Sequence, residues 1–324
     1  MIHRHGESGA ALLSVLLIVS TLSIAALIAT STIARQTELQ KFASRRSAAS
    51  WAARSAESVV LASAVDLVQA SRLPAGTSSE DRVQSAAIPM AGGQIIIHLR
   101  ELGPCLNLNA LADPDAASQT RHIAELNVLL DDIGVSDSDA LRLIDALADW
   151  VDADAIKRPN GNEDGDYLAK ADGFRAANQP LKSLAELAAI PGFSPELRAA
   201  IDTFACVTPS TKSMALNVNA LSQESIPALR AFTLGQLSPT EARRFIDSRP
   251  SAGWANTSDV IEEILKSPVL KSAFEGVPLA VTATYFKADG QVLLDEASWH
   301  FRFMLAVENG QAPKVIWRSF GDAE

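Results

Sequence analysis

The stretch GAALLSVLLIVSTLSIAALIATSTIA, residues 9–34, decides how the start of this chain folds. No charged residue occurs from Ala10 to Ala34, and a helix of these 25 residues is about 37 Å long. That length exceeds the hydrocarbon core of a bilayer, which is about 30 Å thick. Polar residues precede the stretch, and four basic side chains follow it by residue 46. The sequence therefore predicts a membrane-spanning helix over residues 10–34.

Three kinds of N-terminal segment share this composition. A secretory signal peptide has a shorter apolar region and ends in a small-residue cleavage site. An ordinary signal anchor fits the length, although positive charge on both flanks leaves its orientation weakly determined. In a segment of the type IV pilin kind, a peptidase removes the polar leader and leaves the helix as an assembly element. The junction between Gly9 and Ala10 favours this third kind, with residues 1–9 as the leader.

The predicted helix continues beyond the membrane. Neither Pro nor Gly occurs between Ala10 and Leu73, and Pro74 cannot continue a helix. Small and branched apolar residues recur on one helical face, at Ala49, Ala52, Ala53, Ala56, Val59 and Val60. This pattern predicts one long helix whose second part packs on a soluble domain. A membrane helix followed by a separate soluble helix is the alternative.

Strand patterns occur at both ends of the remaining chain. Gly92-Gly93 lies between two apolar runs and predicts a β-hairpin. Near the C-terminus we predict a strand over residues 280–287 that ends in a turn at Asp289-Gly290. Residues 299–307 alternate between apolar and polar or small side chains, and residues 314–318 form a last short strand.

The order of these elements predicts an α+β fold. A long N-terminal helix of the pilin kind packs on a small antiparallel sheet, and a large all-helical domain is inserted in that sheet domain. Residues 35–108 and 279–324 are the two parts of the pilin-like domain, and residues 109–278 are the insert.

The negative charge of the chain lies in this insert. The whole chain has 28 Lys+Arg and 38 Asp+Glu, a net charge of −10. Residues 111–278 contain 25 acidic and 15 basic residues, so the rest is neutral on balance. Because phosphate binding needs clustered Lys and Arg, this composition excludes a general nucleic-acid binder. Two segments with helix–hairpin–helix patterns, LKSLAELAAIPGFSPELRAAI and LNVNALSQESIPALR, are therefore interpreted as packing elements of the insert.

One loop in the insert concentrates carboxylates. Pro, Asn and Gly interrupt it, and such carboxylates can converge on one hard cation such as Ca²⁺. The spacing is not that of an EF-hand, and a solvated acidic loop is the alternative. We expect Asp149 to face solvent or to cap a helix. The candidate Ca²⁺ ligands are Asp152, Asp154, Glu163, Asp164 and Asp166.

The chain contains two cysteines, Cys105 and Cys206. Cys105 and Cys206 either form a disulfide, in an oxidising compartment, or remain buried thiols.

The chain has no HExxH, GxSxG or P-loop motif, and its five histidines are scattered. These observations predict a protein without enzymatic activity.

A series of short motifs resembles the K-type minor pseudopilin of the type II (general) secretion pathway. The junction at Gly9 alone indicates only a pilin-like protein, whereas the motifs in this order are more specific. They are CLNLNAL (105–111), ADWVDAD (148–154), NEDGDY (162–167), FRAANQPLKSLAEL (174–187), PGFSPEL (191–197), FACVTP (204–209) and LNVNAL (216–221).

The resemblance implies a tip subunit of a secretion pseudopilus. Most pilin-like proteins carry Glu at the fifth mature position, whereas this position is Ser14 here, as in K-type proteins. The resemblance also implies that a prepilin peptidase cuts after Gly9 and methylates Ala10. I- and J-type minor pseudopilins would be the partners, and Ca²⁺ would bind in the helical domain. The chain would cross the inner membrane once, with its soluble part in the periplasm.

Two other functions stay open at this point. A minor pilin of a type IV pilus would share the N-terminal segment and would act in adhesion or DNA uptake. A membrane-anchored, calcium-dependent enzyme would use the acidic loop as its active site.

Overall fold

A computed structural model of the chain describes residues 7–70, 84–169, 173–295, 297–307 and 312–321. The helices are α1 (Glu7–Ala70), α2 (Ala116–Asp132), α3 (Asp137–Val151), α4 (Asp164–Leu168), α5 (Pro195–Asp202), α6 (Ile226–Phe232), α7 (Pro239–Asp247), α8 (Thr257–Leu265) and α9 (Pro268–Ala273). The strands are β1 (Gln84–Met90), β2 (Gly93–Glu101), β3 (Leu106–Asn107), β4 (Ala205–Cys206), β5 (Leu216–Asn217), β6 (Leu279–Ala280), β7 (Tyr285–Leu294), β8 (Ala297–Ala306) and β9 (Lys314–Phe320).

The N-terminal helix is continuous, as predicted, and the alternative of two separate helices is wrong. The helix α1 ends at Ala70, and Pro74 lies outside the described residues. Its apolar first part is exposed from Leu12 to Ala34, and the helix is long and apolar enough to cross a membrane. The second part buries Ala49, Ala52, Ala53, Ala56 and Val60 against the sheet. Val59, predicted on this face, is instead exposed.

Five antiparallel strands form the sheet in the order β1-β2-β7-β8-β9. The predicted hairpin joins β1 to β2, and Gly92 in its turn has a φ of +82°, which favours glycine. Alternate residues of β2, β7 and β8 pack with the helix face in one apolar core. The other face of the sheet points away from α1.

The turn predicted at Asp289-Gly290 is wrong, because β7 runs straight through these residues. Asp289 pairs with Arg302, and Gly290 pairs with Phe301 on β8. A Cβ atom at Gly290 would lie 2.2 Å from the Phe301 ring, so the glycine makes room for that ring. The chain turns instead after β7, where Asp295 has a φ of +53°. The predicted strand 280–287 is likewise displaced, since β7 begins at Tyr285.

The insert has its own core, separate from that of the sheet and α1. Its buried apolar residues run from Leu106 to Val277, with Val281 packed at the margin. This core extends a few residues beyond the predicted lower limit at residue 109. The insert is helical except for two pairs of short parallel strands, β3 with β4 and β5 with β6. The predicted α+β fold is confirmed, and the described part of the insert is all-helical apart from these strands of two residues each.

The insert consists of two halves with the same plan. The first half, residues 106–207, begins at β3 and closes by pairing β3 with β4. The second half, residues 216–281, begins at β5 and closes by pairing β5 with β6. Each opening strand has the sequence Leu-Asn and leads into a 3-10 helix. Each half also ends in a helix capped by Ser-Pro, at Ser194-Pro195 and Ser267-Pro268.

Candidate functional site

The predicted processing junction lies at the start of the long helix. Gly9 and Ala10 fall within the first turns of α1, and residues 1–6 of the predicted leader lie outside the described residues. Ser14 lies one turn further along, in the exposed apolar part. From Leu12 onward, this part of the helix is exposed and is not part of the folded core.

Three acidic side chains of the predicted loop come together. One carboxylate oxygen from each of Asp152, Asp154 and Glu163 lies within 4.8 Å of the others. Asp152 directly follows α3, and Glu163 directly precedes α4, so the two helix ends set the distance between them. Three carboxylates of this kind form a donor set that suits a hard cation such as Ca²⁺.

The cluster is partly removed from water, which raises the free energy of its charged state. Oδ1 of Asp152 and both carboxylate oxygens of Glu163 are buried and have no hydrogen-bond partner among the described residues. Burial, and then the charge of Asp154, raises the pKa of Asp152. Burial, and then the charge of Asp152, raises the pKa of Glu163. A bound cation would neutralise this repulsion and occupy the unpaired oxygens, so the residues present fit the ion.

Two of the five predicted ligands lie elsewhere. Asp164 accepts hydrogen bonds from Arg175 Nη1 at 2.6 Å and from the backbone N–H of Ala176 at 3.0 Å. Asp166 accepts from Lys157 Nζ at 2.8 Å and from the backbone N–H of Glu163 at 3.0 Å. Both belong to the first turn of α4, where a carboxylate is used to pair with backbone N–H groups and basic side chains.

Asp149 neither faces solvent nor caps a helix, contrary to the sequence-based expectation. It is fully buried and accepts from the backbone N–H of Arg158 at 3.3 and 3.2 Å. Burial raises its pKa to about 6. A Cβ atom at Gly161 would lie 1.9 Å from Asp149 Oδ2, so only glycine fits there. Since residues 146–151 are all buried, helical periodicity could not place this side chain.

Asn178 is a member of this region that the sequence analysis missed. Its Nδ2 donates to the backbone carbonyl of Asp154 at 2.9 Å, and it adopts a φ of +45°. Its Oδ1 is buried without a hydrogen-bond partner among the described residues. An amide oxygen is a suitable hard ligand, and the strained backbone indicates that the fold holds this side chain in place. The only signal in the sequence was its place in the motif FRAANQP.

Cys105 and Cys206 are joined in a disulfide, with their Cα atoms 5.7 Å apart. Cys206 belongs to β4, which pairs with β3 immediately after Cys105, so the bond lies where the first half closes. The sulfur of Met214 lies 3.4 Å from Cys206 Sγ and covers this bond.

Four asparagines hold the ends of the two halves. Asn109 Nδ2 donates to the carbonyls of Leu181 and Thr208, and its Oδ1 accepts from the N–H of Leu181. Asn219 makes the same three bonds to Trp254 and Val281 in the second half. Both side chains are buried and satisfy backbone groups of a returning chain segment. The inner asparagine of each Asn-x-Asn motif therefore has a structural role.

The outer asparagine of each pair reaches a neighbouring segment. Asn107 donates to the carbonyls of Ser210 and Lys212, which belong to the linker between the halves. Asn217 donates to Glu101 Oε1 at 2.5 Å and so ties the second half to the end of β2. Asparagine side chains therefore hold the linker between the halves against the first half, and hold the second half against the sheet.

The two halves correspond to two matched families. Residues 104–210 match the first domain of the family described as type II secretion system (T2SS), protein K, and residues 216–282 match a second T2SS protein K domain. Together these matches cover more than half of the chain.

Characterised relatives extend the match to nearly the whole chain. The type II secretion system protein K of Aeromonas hydrophila is 31% identical over 87% of each chain. The protein K of Pectobacterium carotovorum subsp. carotovorum is 29% identical over 98% of each chain. Among solved structures, the chain is similar to one in the crystal structure of the GspK-GspI-GspJ complex from the enterotoxigenic Escherichia coli type 2 secretion system. The TM-score is 0.72 at 25% identity, covering 89% of this chain and 100% of that chain.

Proposed function

Because this chain belongs to the type II secretion system protein K family, we propose that it is a minor pseudopilin that initiates and caps the pseudopilus tip and thereby supports protein export. The observation that carries this proposal is the similarity to one chain of the GspK-GspI-GspJ complex. By analogy, the partners are I- and J-type minor pseudopilins. The matches favour this role over that of a type IV pilus minor pilin. The protein would act as a structural subunit rather than as an enzyme.

The proposed position at the pseudopilus tip rests on the absence of a glutamate at the fifth mature position of the helix. In pilin-like filaments, Glu at the fifth mature position is thought to neutralise the N-terminal amine of a neighbouring subunit. Here that position is Ser14, so the chain cannot supply this contact, and an unpaired charge in a membrane is costly. A subunit without this contact is suited to the end of a filament.

Assembly would use the exposed face of α1. Phe42 and Trp51 on this helix are more than half exposed, although they lie beyond the apolar stretch of residues 10–34. Large apolar side chains on one exposed helix are typical of a surface that packs on other helices. We place the apolar stretch in the inner membrane, as a single span, and the sheet and insert in the periplasm.

Co-purification of the full-length chain in detergent tests this proposal. We expect the chain, co-expressed with I- and J-type partners, to elute with them as one complex. Phe42→Asp should abolish the complex, whereas Leu141→Asp, at an equally exposed position on α3 of the insert, should not. If the unaltered chain binds neither partner, the tip proposal is wrong.

Processing by prepilin peptidase is a separate part of the proposal. We expect the mature chain to begin at Ala10 with a methylated amine. Mass spectrometry of the N-terminal peptide from cells with and without the peptidase measures both changes. An N-terminus beyond residue 34, as after signal-peptide cleavage, would contradict this prediction.

Calcium binding is proposed at Asp152, Asp154 and Glu163, with Asn178 as a further oxygen donor. Ca²⁺ would bind these side chains and fix the loop between α3 and α4. We expect Ca²⁺ to raise the melting temperature of the full-length chain. The double variant Asp154→Asn/Glu163→Gln should lose this shift, since it removes two ligand charges.

Asp164→Asn is the matched control, because it removes a carboxylate from the same loop but not from the cluster. It should keep the Ca²⁺-dependent shift. If calorimetry shows no heat of Ca²⁺ binding to the unaltered chain, the calcium proposal fails, while the tip proposal is unaffected.

A further inference from the structure

A large cleft separates the outward face of the sheet from the insert. Its volume is about 850 Å³, within the range of ligand-binding pockets. The floor is formed by the sheet, on the face turned away from α1. The wall is formed by both halves of the insert, and the disulfide lies at the base. This cleft takes no part in the membrane span, in the metal cluster or in the packing of α1.

The floor is basic, although the chain as a whole is acidic. Arg100 on β2, Lys287 on β7 and Arg302 on β8 all line the cleft from the sheet. Arg100 and Lys287 are directly opposite each other, and Arg302 is opposite Asp289 in the next pair of strands. Three basic side chains therefore occupy adjacent positions on one face of the sheet.

Asp289 is the carboxylate that lies near two of these three cations. Asp289 lies 3.7 Å from Arg100 Nε and 3.9 Å from Lys287 Nζ, which are long distances for ion pairs. Arg302 has no ion-pair partner among the described residues. Lys287 is 23% exposed, and burial is the main cause that lowers its pKa, partly offset by Asp289 and by Asp202 on the wall of the cleft. Glu101 at the end of β2 also lines the cleft, and its Oε1 accepts from Asn217 Nδ2. Three basic side chains of the sheet thus face two carboxylates, Asp289 and Glu101, and the floor keeps a net positive charge.

The wall of the cleft, unlike the basic floor, carries side chains of mixed charge and polarity. It carries the acidic residues Asp202 and Glu224, the basic residue Lys182, and the apolar side chains of Leu184 and Phe204. The floor adds Met304 and Trp317, which are opposite each other on β8 and β9. A compact anion would use only the basic floor and would leave this mixed surface uncovered.

An extended peptide matches both surfaces. Successive side chains of an extended chain point to opposite sides, so one set can face the floor and the other the wall. Acidic side chains facing the floor would complement Arg100, Lys287 and Arg302. We propose that the cleft binds an extended segment of another protein whose floor-facing side chains are acidic. This inference does not depend on the tip function, because the face involved is opposite the one that packs on α1.

The test uses the full-length chain in detergent micelles and a fluorescein-labelled peptide of alternating Glu and Thr. Fluorescence anisotropy should show binding that weakens as the salt concentration rises. Arg302→Gln and Lys287→Met should each weaken binding by about tenfold. Lys271→Gln removes one positive charge from exposed α9, outside the cleft, and should leave the affinity unchanged. Melting curves of each variant report whether it is folded.

Three results would overturn the proposal. The first is equal binding of a peptide of alternating Lys and Thr, because the floor should repel it. The second is full competition by inorganic phosphate at the concentration of the peptide, which would indicate a small-anion site. The third is an affinity that Arg302→Gln and Lys287→Met both leave unchanged, or no binding of the acidic peptide at all. None of these results affects complex formation with I- and J-type partners, so failure here is distinguishable from failure of the tip proposal.

Discussion

The first and second halves of the insert share one plan but stabilise it with different chemistry. In both, an inner asparagine makes three hydrogen bonds to a returning segment, through Asn109 in the first half and Asn219 in the second. In the first half, residues 152–180 connect the end of α3 to Leu181, the first residue that the asparagine holds, and this long stretch carries the acidic cluster. In the second half, only residues 248–253 connect the end of α7 to Trp254.

The short connection of the second half supplies a buried arginine instead of carboxylates. Nη1 of Arg249 donates to the backbone carbonyls of Val218, Asn219 and Leu221, around the 3-10 helix that opens this half. In the first half, Gln119 donates to the carbonyl of Leu111, the residue equivalent to Leu221. The asparagine contacts are thus the same in both halves and define their shared fold. The two halves differ in the length and the charged residues of the connecting segment.

Loss of the disulfide should have the largest effect, and only on the first half. Cys105 and Cys206 are 101 residues apart, and a cross-link that closes such a loop contributes about 4–5 kcal/mol. We expect the variant Cys105→Ser/Cys206→Ser to lose that amount in urea unfolding. Hydrogen exchange should increase around β3 and β4 but not around β5 and β6. Equal increases in both halves would show that they do not close independently.

The equivalence of the two inner asparagines can be tested by truncating each. Asn109→Ala and Asn219→Ala should each cost about 3–4 kcal/mol, because both leave buried backbone groups without partners. The free energy of unfolding of both variants, measured side by side in urea, is the relevant quantity. Ser222→Ala, in the second half but outside these contacts, should cost much less. A difference above about 2 kcal/mol between the asparagine variants would contradict their equivalence.

Replacing Arg249 should destabilise the chain more than replacing Gln119, its counterpart in the first half. Arg249→Met leaves the carbonyls of Val218, Asn219 and Leu221 without this donor and should cost about 2–3 kcal/mol. Gln119→Leu removes a single hydrogen bond from the first half and should cost about 1 kcal/mol. Thermal unfolding of the two variants measures the difference. If Gln119→Leu is the more damaging, the buried arginine is not the main stabilising group of the 3-10 helix.

A loss of stability with rising pH should be found in the first half, where the buried carboxyl groups lie. Burial raises the pKa of Asp149 from 3.8 to about 6 in the folded chain. Between these values the folded state binds more protons than the unfolded state, so stability falls as the pH rises through this range. With EDTA present, we expect a loss of about 1–2 kcal/mol across that interval.

Hydrogen exchange at several pH values measures this loss in each half separately. Asp149→Asn keeps the shape of the side chain and accepts from Arg158 N–H through its amide oxygen. It should reduce the pH dependence, and the part that remains is due to Asp152 and Glu163, whose pKa values are also raised. In the second half, the hydroxyl of Ser238 lowers the pKa of Glu241, so any pH dependence from this group has the opposite sign, with stability rising as the pH rises. If the stability of the unaltered chain relative to Asp149→Asn instead increases from pH 4 to 6, the assignment is wrong, since the sign of this difference is fixed by the direction of the pKa shift.

The candidate site was predictable in part, and the part that failed has a physical cause. Composition and spacing placed Asp152, Asp154 and Glu163 in one loop, but they could not separate these from Asp164 and Asp166. That separation depends on where α4 begins, because its first turn takes Asp164 and Asp166 for hydrogen bonds and ion pairs. Asn178 was missed because it reaches the loop from a segment more than twenty residues away.

By itself, the sequence determined the elements that depend on local properties. An uninterrupted apolar stretch without Pro or Gly is sufficient for the long helix α1, and Gly92-Gly93 between apolar runs is sufficient for the hairpin. The tertiary structure alone decided the elements that depend on distant contacts. Gly290 is not a turn residue, because the Phe301 ring on the neighbouring strand needs its space. Asp149 is buried against the loop at Arg158 and Gly161, and Arg249 is buried against the 3-10 helix about thirty residues earlier. No local pattern in the sequence records either contact.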